Sequence, residues 1–170
     1  ESKFHDSGVM VNNKIHHANT KTEYAGNRMN IRSILYRGRI PDDYFVPQEQ
    51  ITKWKIEKGA KRKQKFDKSG FSYIWSEGKI DFPDLIDKPS RTIITSEGGK
   101  SVSRIRHVIE HKKKLRRLLP IEIERLNMFP DNITDIKNIK DTRRVYLMGN
   151  ALVVGIVEKI GHSLSELLSL

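Results

Sequence analysis

Leu152, Ile156, Ile160, Leu164 and Leu167 recur in steps of four, four, four and three residues to the end of the chain. That period lines one face of a long helix and suits no strand. Asn150 stands just ahead of the run, in the position of an N-cap that would hold a free N–H of the first turn. Upstream, Pro120 suits the first turn of a shorter helix. Ile123 and Leu126 share one of its faces, and Pro130 stops it.

The rest of the chain reads as short strands and turns. From Gly8 to about Asn27, apolar pieces (Val9-Met10-Val11, Ile15) alternate with Asn-Asn and Gly turn signals, the pattern of a hairpin. Met29 to Tyr36 can open a helix, and Pro41-Asp42-Asp43 with Pro47 bracket a turn. Gln48 to Ala60, carrying Ile51 and Trp54, allows an amphipathic helix that Gly59 ends. A very basic stretch, Lys61 to Lys65, precedes Phe71–Trp75 and Arg91–Thr95, both rich in the aromatic and β-branched residues of strands. Arg104–Ile109 and Leu115–Leu118 read as two more strands around a polar turn at His111–Lys114. Trp54, Phe71, Tyr73 and Trp75 are expected to fill a small core. The fold class expected is α+β: a β-rich, irregular lobe, a short helix, then a long C-terminal helix.

A length of 170 residues suits one domain or a lobe of a larger one, and a mean hydropathy of -0.59 with no apolar run near a membrane span's ~18 residues points to a soluble chain. The beginning, Glu1-Ser2-Lys3-Phe4-His5, has no initiator methionine or signal core, so a cut within a longer cytoplasmic protein is expected. Cysteine is absent, which excludes disulfides, thiolate metal sites and thiol catalysis by this polypeptide. His16-His17 with Asp6 lack ligand spacing, so no metal site is expected. A net charge of +11 favours polyanionic partners, nucleic acid the commonest, although ribosomal and membrane-surface proteins are equally basic.

Three constellations could carry chemistry. Gly149-Asn150-Ala151 combines a tight-turn glycine with a cap residue, and the N–H groups of a following helix could bind an anion. Pro89 to Gly99 sets Thr92 and Ile93 before the Gly98-Gly99 loop. A hydroxyl and glycine-exposed backbone there suit a phosphate, while a half-buried strand ending in a turn is the plain alternative. Basic patches run through Lys53, Lys55, Lys58, Lys61, Arg62, Lys63 and Lys65, and through Lys100, Arg104, Arg106, Lys112, Lys113 and Lys114. Lysines there fit phosphates or a solvated face; Arg104 and Arg106, close behind the glycines, are better placed to reach a base. Glu122 and Glu124 are expected in the first turn of their helix, favoured by its dipole.

Two blocks, Arg116-Arg117-Leu118-Leu119-Pro120-Ile121-Glu122-Ile123-Glu124-Arg125-Leu126-Asn127-Met128-Phe129-Pro130-Asp131 and Arg144-Val145-Tyr146-Leu147-Met148-Gly149-Asn150-Ala151-Leu152-Val153-Val154, resemble the carboxy-terminal end of cytosine-5 DNA methyltransferases. The first follows R-x-L-x-P-x-E-x-x-R-L-x-x-F-P-D, the family's ninth motif, and the second its tenth. Met128 departs from the glycine that many members carry before the aromatic-Pro pair. Phe71 to Gly99 and Arg104 to Ile109 look like the late target recognition domain, with residues 1 to 70 its variable part.

The resemblance implies a recognition domain over residues 1–140 and a helical segment over 141–170 that completes an S-adenosylmethionine-binding domain. It implies that Asn150, Ala151 and Leu152 line the donor pocket. Arg91, Thr92, Ile93, Ser96, Gly98, Gly99, Lys100, Arg104 and Arg106 are then the candidates for contact with double-stranded DNA, and Arg116 and Arg125 are structural. The family's F-x-G-x-G, P-C-Q, E-N-V and Q-x-R-x-R segments do not occur. The expectation is therefore the DNA-reading and donor-closing portion of a bacterial restriction–modification or solitary enzyme, inactive alone. Its cysteine-bearing catalytic lobe would lie upstream or on another chain. The apolar face of the last helix is expected to be covered by this chain or, in a homodimer, by a second copy. A stand-alone basic nucleic-acid-binding module is the alternative.

Overall fold

A computed structural model describes residues 5–20, 26 and 28–168. Within them lie three antiparallel hairpins, none joined to another: β1 (Ser7–Val11) with β2 (Lys14–Ala18), β3 (Lys61–Phe66) with β4 (Ser72–Glu77), and β5 (Val108–His111) with β6 (Lys114–Arg117). The helices are α1 (Ile31–Ile34), α2 (Ile51–Lys58), α3 (Pro120–Leu126), α4 (Asp141–Asn150) and α5 (Val154–Leu168). The α+β class expected from the sequence is the one observed.

Local chemistry explains most boundaries. Asn12 and Asn13 take φ of 49° and 61° in the two-residue turn of the first hairpin, a conformation Asn tolerates. That hairpin matches the expectation, except that residues 21–25 and Asn27 lie outside the described residues. Asn30 caps α1 by accepting from the Ser33 N–H at 3.1 Å. α3 ends in a Schellman pair, Phe129 N–H to the Glu124 carbonyl and Met128 N–H to the Arg125 carbonyl, both at 3.0 Å, with Met128 at φ 62°. This is the position at which the resemblance leads to an expectation of glycine.

The core sits where α1, α3, α4 and β5 meet. Ile31, Ile34, Ile109, Leu118, Ile123, Val145 and Met148 form it, and Ile40, Tyr44 and Leu119 make a smaller cluster beside it. Each such side chain, fully buried, contributes about 1.5–3 kcal/mol.

Several expectations are corrected. Lys61 to Lys65 is not a mere basic run but strand β3. Arg91–Thr95 is no strand: it is β-branched, yet no strand lies beside it, and a ladder needs a neighbour more than propensity. The strand expected over Arg104–Ile109 begins only at Val108, because the Arg104 and Arg106 side chains bind loop carbonyls. A helix, α4, spans 141–150 where none was expected. Asn150 is therefore its last residue and not the N-cap of α5, which starts at Val154. Trp54 is fully buried, but Phe71 (67% exposed) and Tyr73 (42%) lie outside the core. Among the described residues nothing covers the apolar face of α5, since Ile156, Ile160 and Leu164 are each more than half exposed.

Candidate functional site

The block around α3 is held by two buried ion pairs. Arg116 and Glu122, both fully buried, meet in a fork with bonds of 2.7 and 2.8 Å. Glu122 also accepts from the Leu119 N–H at 2.8 Å, which caps α3, and from the Tyr36 N–H at 2.9 Å. Glu124 lies beyond the first turn and accepts from Arg144 at 3.0 Å, from Asn132 N–H at 2.7 Å and from the Thr134 hydroxyl. The carboxylates thus serve ion pairs as well as, for Glu122, the helix dipole, and Glu124–Arg144 joins the two sequence blocks. Arg125 forks onto Asp131 at 2.7 and 2.6 Å and donates to the Ile34 carbonyl at 3.0 Å. Its hydrogen bonds hold the Asp131 carboxyl below the usual carboxylate range.

The segment from Ser90 to His107 is organised by buried polar groups that carry no sequence signal, because their partners come from distant parts of the chain. Asp84 accepts from Lys58 at 3.1 Å, from Arg91 at 2.9 and 2.7 Å, and from the Val108 N–H at 2.8 Å. Burial pulls the Lys58 ammonium below its ordinary pKa while Asp84 opposes that pull. His107, fully buried, bridges Ser90 Oγ at 3.1 Å and Glu97 at 3.0 Å. The Ser90 hydroxyl donates to the Arg91 carbonyl at 2.7 Å, so this Ser–His–Glu chain fastens a loop and presents no free nucleophile.

Among the candidate contact residues, the structure separates inward from outward side chains. Arg91 and Arg106 point into the loop, Arg106 donating to the Ser96 carbonyl at 2.6 Å and the Ser101 carbonyl at 2.5 Å. Arg104 donates to the Glu57 carbonyl at 2.9 Å and the Gly59 carbonyl at 2.7 Å, and also to Gly78, and pairs with Glu77 at 2.7 Å. Ile93 packs on the core, whereas Thr92, Ser96 and Lys100 face outward. A Cβ on Gly99 would stand 2.5 Å from the Arg106 guanidinium, and one on Gly98 would stand 3.2 Å from the Thr142 backbone of α4. The nearest neighbours of both glycines are thus parts of this chain.

Gly149 is helical, and its role is close approach in place of a tight turn: an added Cβ would sit 2.5 Å from the Thr95 Cα and N. α4 thereby rests on the Ile94–Thr95 backbone. Asn150 donates to the Tyr146 carbonyl at 2.9 Å, leaving its side-chain oxygen outward, and Leu152 is 74% exposed in the link to α5. Asn150 and Leu152 are exposed side by side, while Ala151 between them packs partly on the core. An amide acceptor and an apolar side chain fit a donor molecule with polar and apolar parts, provided that another surface closes over it.

A cleft lined by Arg37, Arg39, His111, Lys112 and Lys114 joins two lysines of the second basic patch to two arginines that sequence reasoning did not single out. Burial first, then the Arg116 and Lys112 charges, hold the His111 imidazole below its ordinary pKa. Only the spacing of two arginines around Gly38 could have pointed to it.

Residues 3–166 match the family described as C-5 cytosine-specific DNA methylase. The chain is 36% identical over 165 residues to Type II methyltransferase M.Sau3AI of Staphylococcus aureus, covering 97% of this chain and 39% of that protein. It thus spans well under half the length of this relative. In fold it is similar to S. pombe Dnmt2 methyltransferase (TM-score 0.57, 18% identity, 92% of this chain and 51% of that one). It is equally similar to the Entamoeba histolytica methyltransferase EhMeth (TM-score 0.57, 18% identity, 94% and 46%). The match along almost the whole chain, with both sequence blocks packed together through Glu124 and Arg144, means that this polypeptide belongs to the C-5 cytosine-specific DNA methylase family.

Proposed function

We propose that the chain is the DNA-recognition and donor-closing portion of a cytoplasmic DNA (cytosine-5-)-methyltransferase, with recognition over residues 1–140 and donor closure over 141–170. The observation that carries this reading is the pair of exposed side chains Asn150 and Leu152, flanking a half-buried Ala151, beside the apolar face of α5 that the described residues leave bare. A lobe bearing a cysteine nucleophile would cover both. Bound S-adenosylmethionine supplies an electrophilic methyl group. In this chain, Asn150 offers an amide oxygen to orient the donor, and Ala151 with Leu152 excludes water from it.

On the nucleic-acid side, Thr92, Ser96 and Lys100 face outward for phosphate contact. Arg106 spans the Gly98-Gly99 loop through the Ser96 and Ser101 carbonyls and Arg91 ties Asp84 to the Ile105 carbonyl, so their contribution to binding is positional. Drawing a cytosine out of the duplex costs a few kcal/mol of unstacking, which such contacts offset. The stand-alone binding module would account for the charge but leaves the α5 face without a role.

The test mixes this chain with a separately produced lobe carrying the P-C-Q and F-x-G-x-G segments and measures labelled-methyl transfer to duplex DNA. Transfer by the mixture and by neither part alone is expected. Asn150→Ala should weaken donor binding to the mixture about tenfold, the effect of losing one hydrogen bond in a closed site. Transfer by this chain alone would overturn the reading, and unchanged donor affinity would remove Asn150 from the pocket.

A further inference from the structure

Like the β1–β2 hairpin, the ribbon formed by β3 and β4 is little explained by stability. An isolated two-stranded hairpin is marginal in water, yet this one buries neither face. Phe66 is 67% exposed and Ile74 59%. Its root is clamped instead: Arg104 binds the Glu57, Gly59 and Gly78 carbonyls and pairs with Glu77, while Lys61 pairs with Glu57 at 2.5 Å. Its tip is closed by Asp67, whose carboxylate accepts from Ser69 at 2.7 Å and from the Phe71 N–H at 2.9 Å. A projecting ribbon fixed at both ends has a shape that something outside the core uses.

Register sorts its side chains by chemistry. Residues directly opposite share a face. Arg62 faces Ser76 and Gln64 faces Ile74, which puts Arg62, Gln64 and Ile74 together. Lys63 faces Trp75 and Lys65 faces Tyr73, so the lysines occupy the other face, with Lys65 stacked over Trp75 at 3.9 Å. Arg62, Lys63, Gln64 and Lys65 are all exposed, and none enters an ion pair among the described residues.

We infer that the β3–β4 ribbon enters the major groove of duplex DNA, with Arg62 and Gln64 toward base edges and Lys63 and Lys65 toward phosphates. The inference rests on the DNA-recognition reading above and assigns its specificity-bearing element. The groove, about 12 Å wide, admits a two-stranded ribbon. Six residues of strand reach about 20 Å along it. A planar guanidinium matches the paired acceptors of guanine, and a carboxamide matches the donor and acceptor of adenine; lysine, a point charge, suits phosphate and reads no base. Arg104 is then a positioning residue, setting the ribbon's angle from its root.

The experiment has two readouts on the chain: salt-dependent binding to a labelled random-sequence duplex, and selection from a randomised duplex pool. Lys63→Ala/Lys65→Ala should weaken random-duplex binding about tenfold or more and flatten the slope of log affinity against log salt by about two. Arg62→Ala and Arg62→Lys should both abolish a selected guanine, the lysine variant keeping random-duplex affinity within about twofold, and Gln64→Ala should abolish a selected adenine. Failure of the parent chain to bind duplex DNA would overturn the recognition reading and this inference together. A parent that binds, with the lysine variant keeping its slope and the Arg62 and Gln64 variants selecting the same sequences, would overturn the ribbon alone. A parent that selects no base at all would overturn the base-reading face.

Discussion

Met128 adopts a left-handed backbone at the end of α3, with φ 62° and its side chain half-exposed beside Gly155. A residue with a Cβ pays about 1 kcal/mol there that glycine avoids. Met128→Gly should therefore raise thermal stability by about 2–4 °C, read as the midpoint of a melting curve. Glu122 lies at the opposite extreme: its carboxylate satisfies the buried Arg116 and two backbone N–H groups. Glu122→Ala should cost about 3–5 kcal/mol in urea unfolding, because it leaves a buried cation unpaired. Asp131 adds a pH signature. Its folded pKa is depressed by the Arg125 hydrogen bonds, so the stability it adds is present above the unfolded value of about 3.9 and is lost as pH falls through the lower folded value. The gap between parent and Asp131→Asn melting temperatures should be full at pH 7 and close in acid below that window. What the sequence made legible at this scale was local. Pro120 and Pro130 act on neighbours and could be read, whereas Arg125 also reaches the Ile34 carbonyl, Glu124 finds Arg144 twenty residues away and Asp84 gathers three separate segments.

Among elements, Gly149 of α4 and Gly161 of α5 answer opposite demands. A methyl on Gly149 would collide with the Thr95 backbone, whereas Gly161 has open space around it within a solvent-facing helix. Gly149→Ala should destabilise by about 1–3 kcal/mol, as overpacking does. Gly161→Ala should stabilise by up to about 1 kcal/mol through helix propensity. Chemical denaturation of both variants checks the contrast in sign. The apolar period of Leu152 to Leu167 revealed α5 because helical spacing needs no partner to be recognised. The start of that helix was misread, since an Asn followed by apolar residues looks the same whether it opens one helix or closes another. Arg91–Thr95 misled for a related reason: its composition describes an extended chain, while a strand exists only if a neighbour pairs with it.

On the scale of the whole molecule, the distribution of apolar surface is lopsided. A compact core lies around α3, while α5 carries Ile156, Ile160, Leu164 and Leu167 into solvent. Exposed apolar patches of this kind mark interaction surfaces. The chain should associate with itself as its concentration rises when no other lobe is present, and Ile160→Glu with Leu164→Glu should keep it monomeric in sedimentation experiments. A parent chain that stays monomeric at high concentration would argue against both a homodimer and a sticky docking face.

The contact between α4 and the segment that precedes the glycine loop has a mechanical corollary. Backbone meets backbone at Gly149 and Thr95, with no rotatable side chain between them to take up slack. If the proposed donor wall shifts, the loop behind Thr92 would be dragged along with it, and gripping one ligand and aligning the other would then be a single movement.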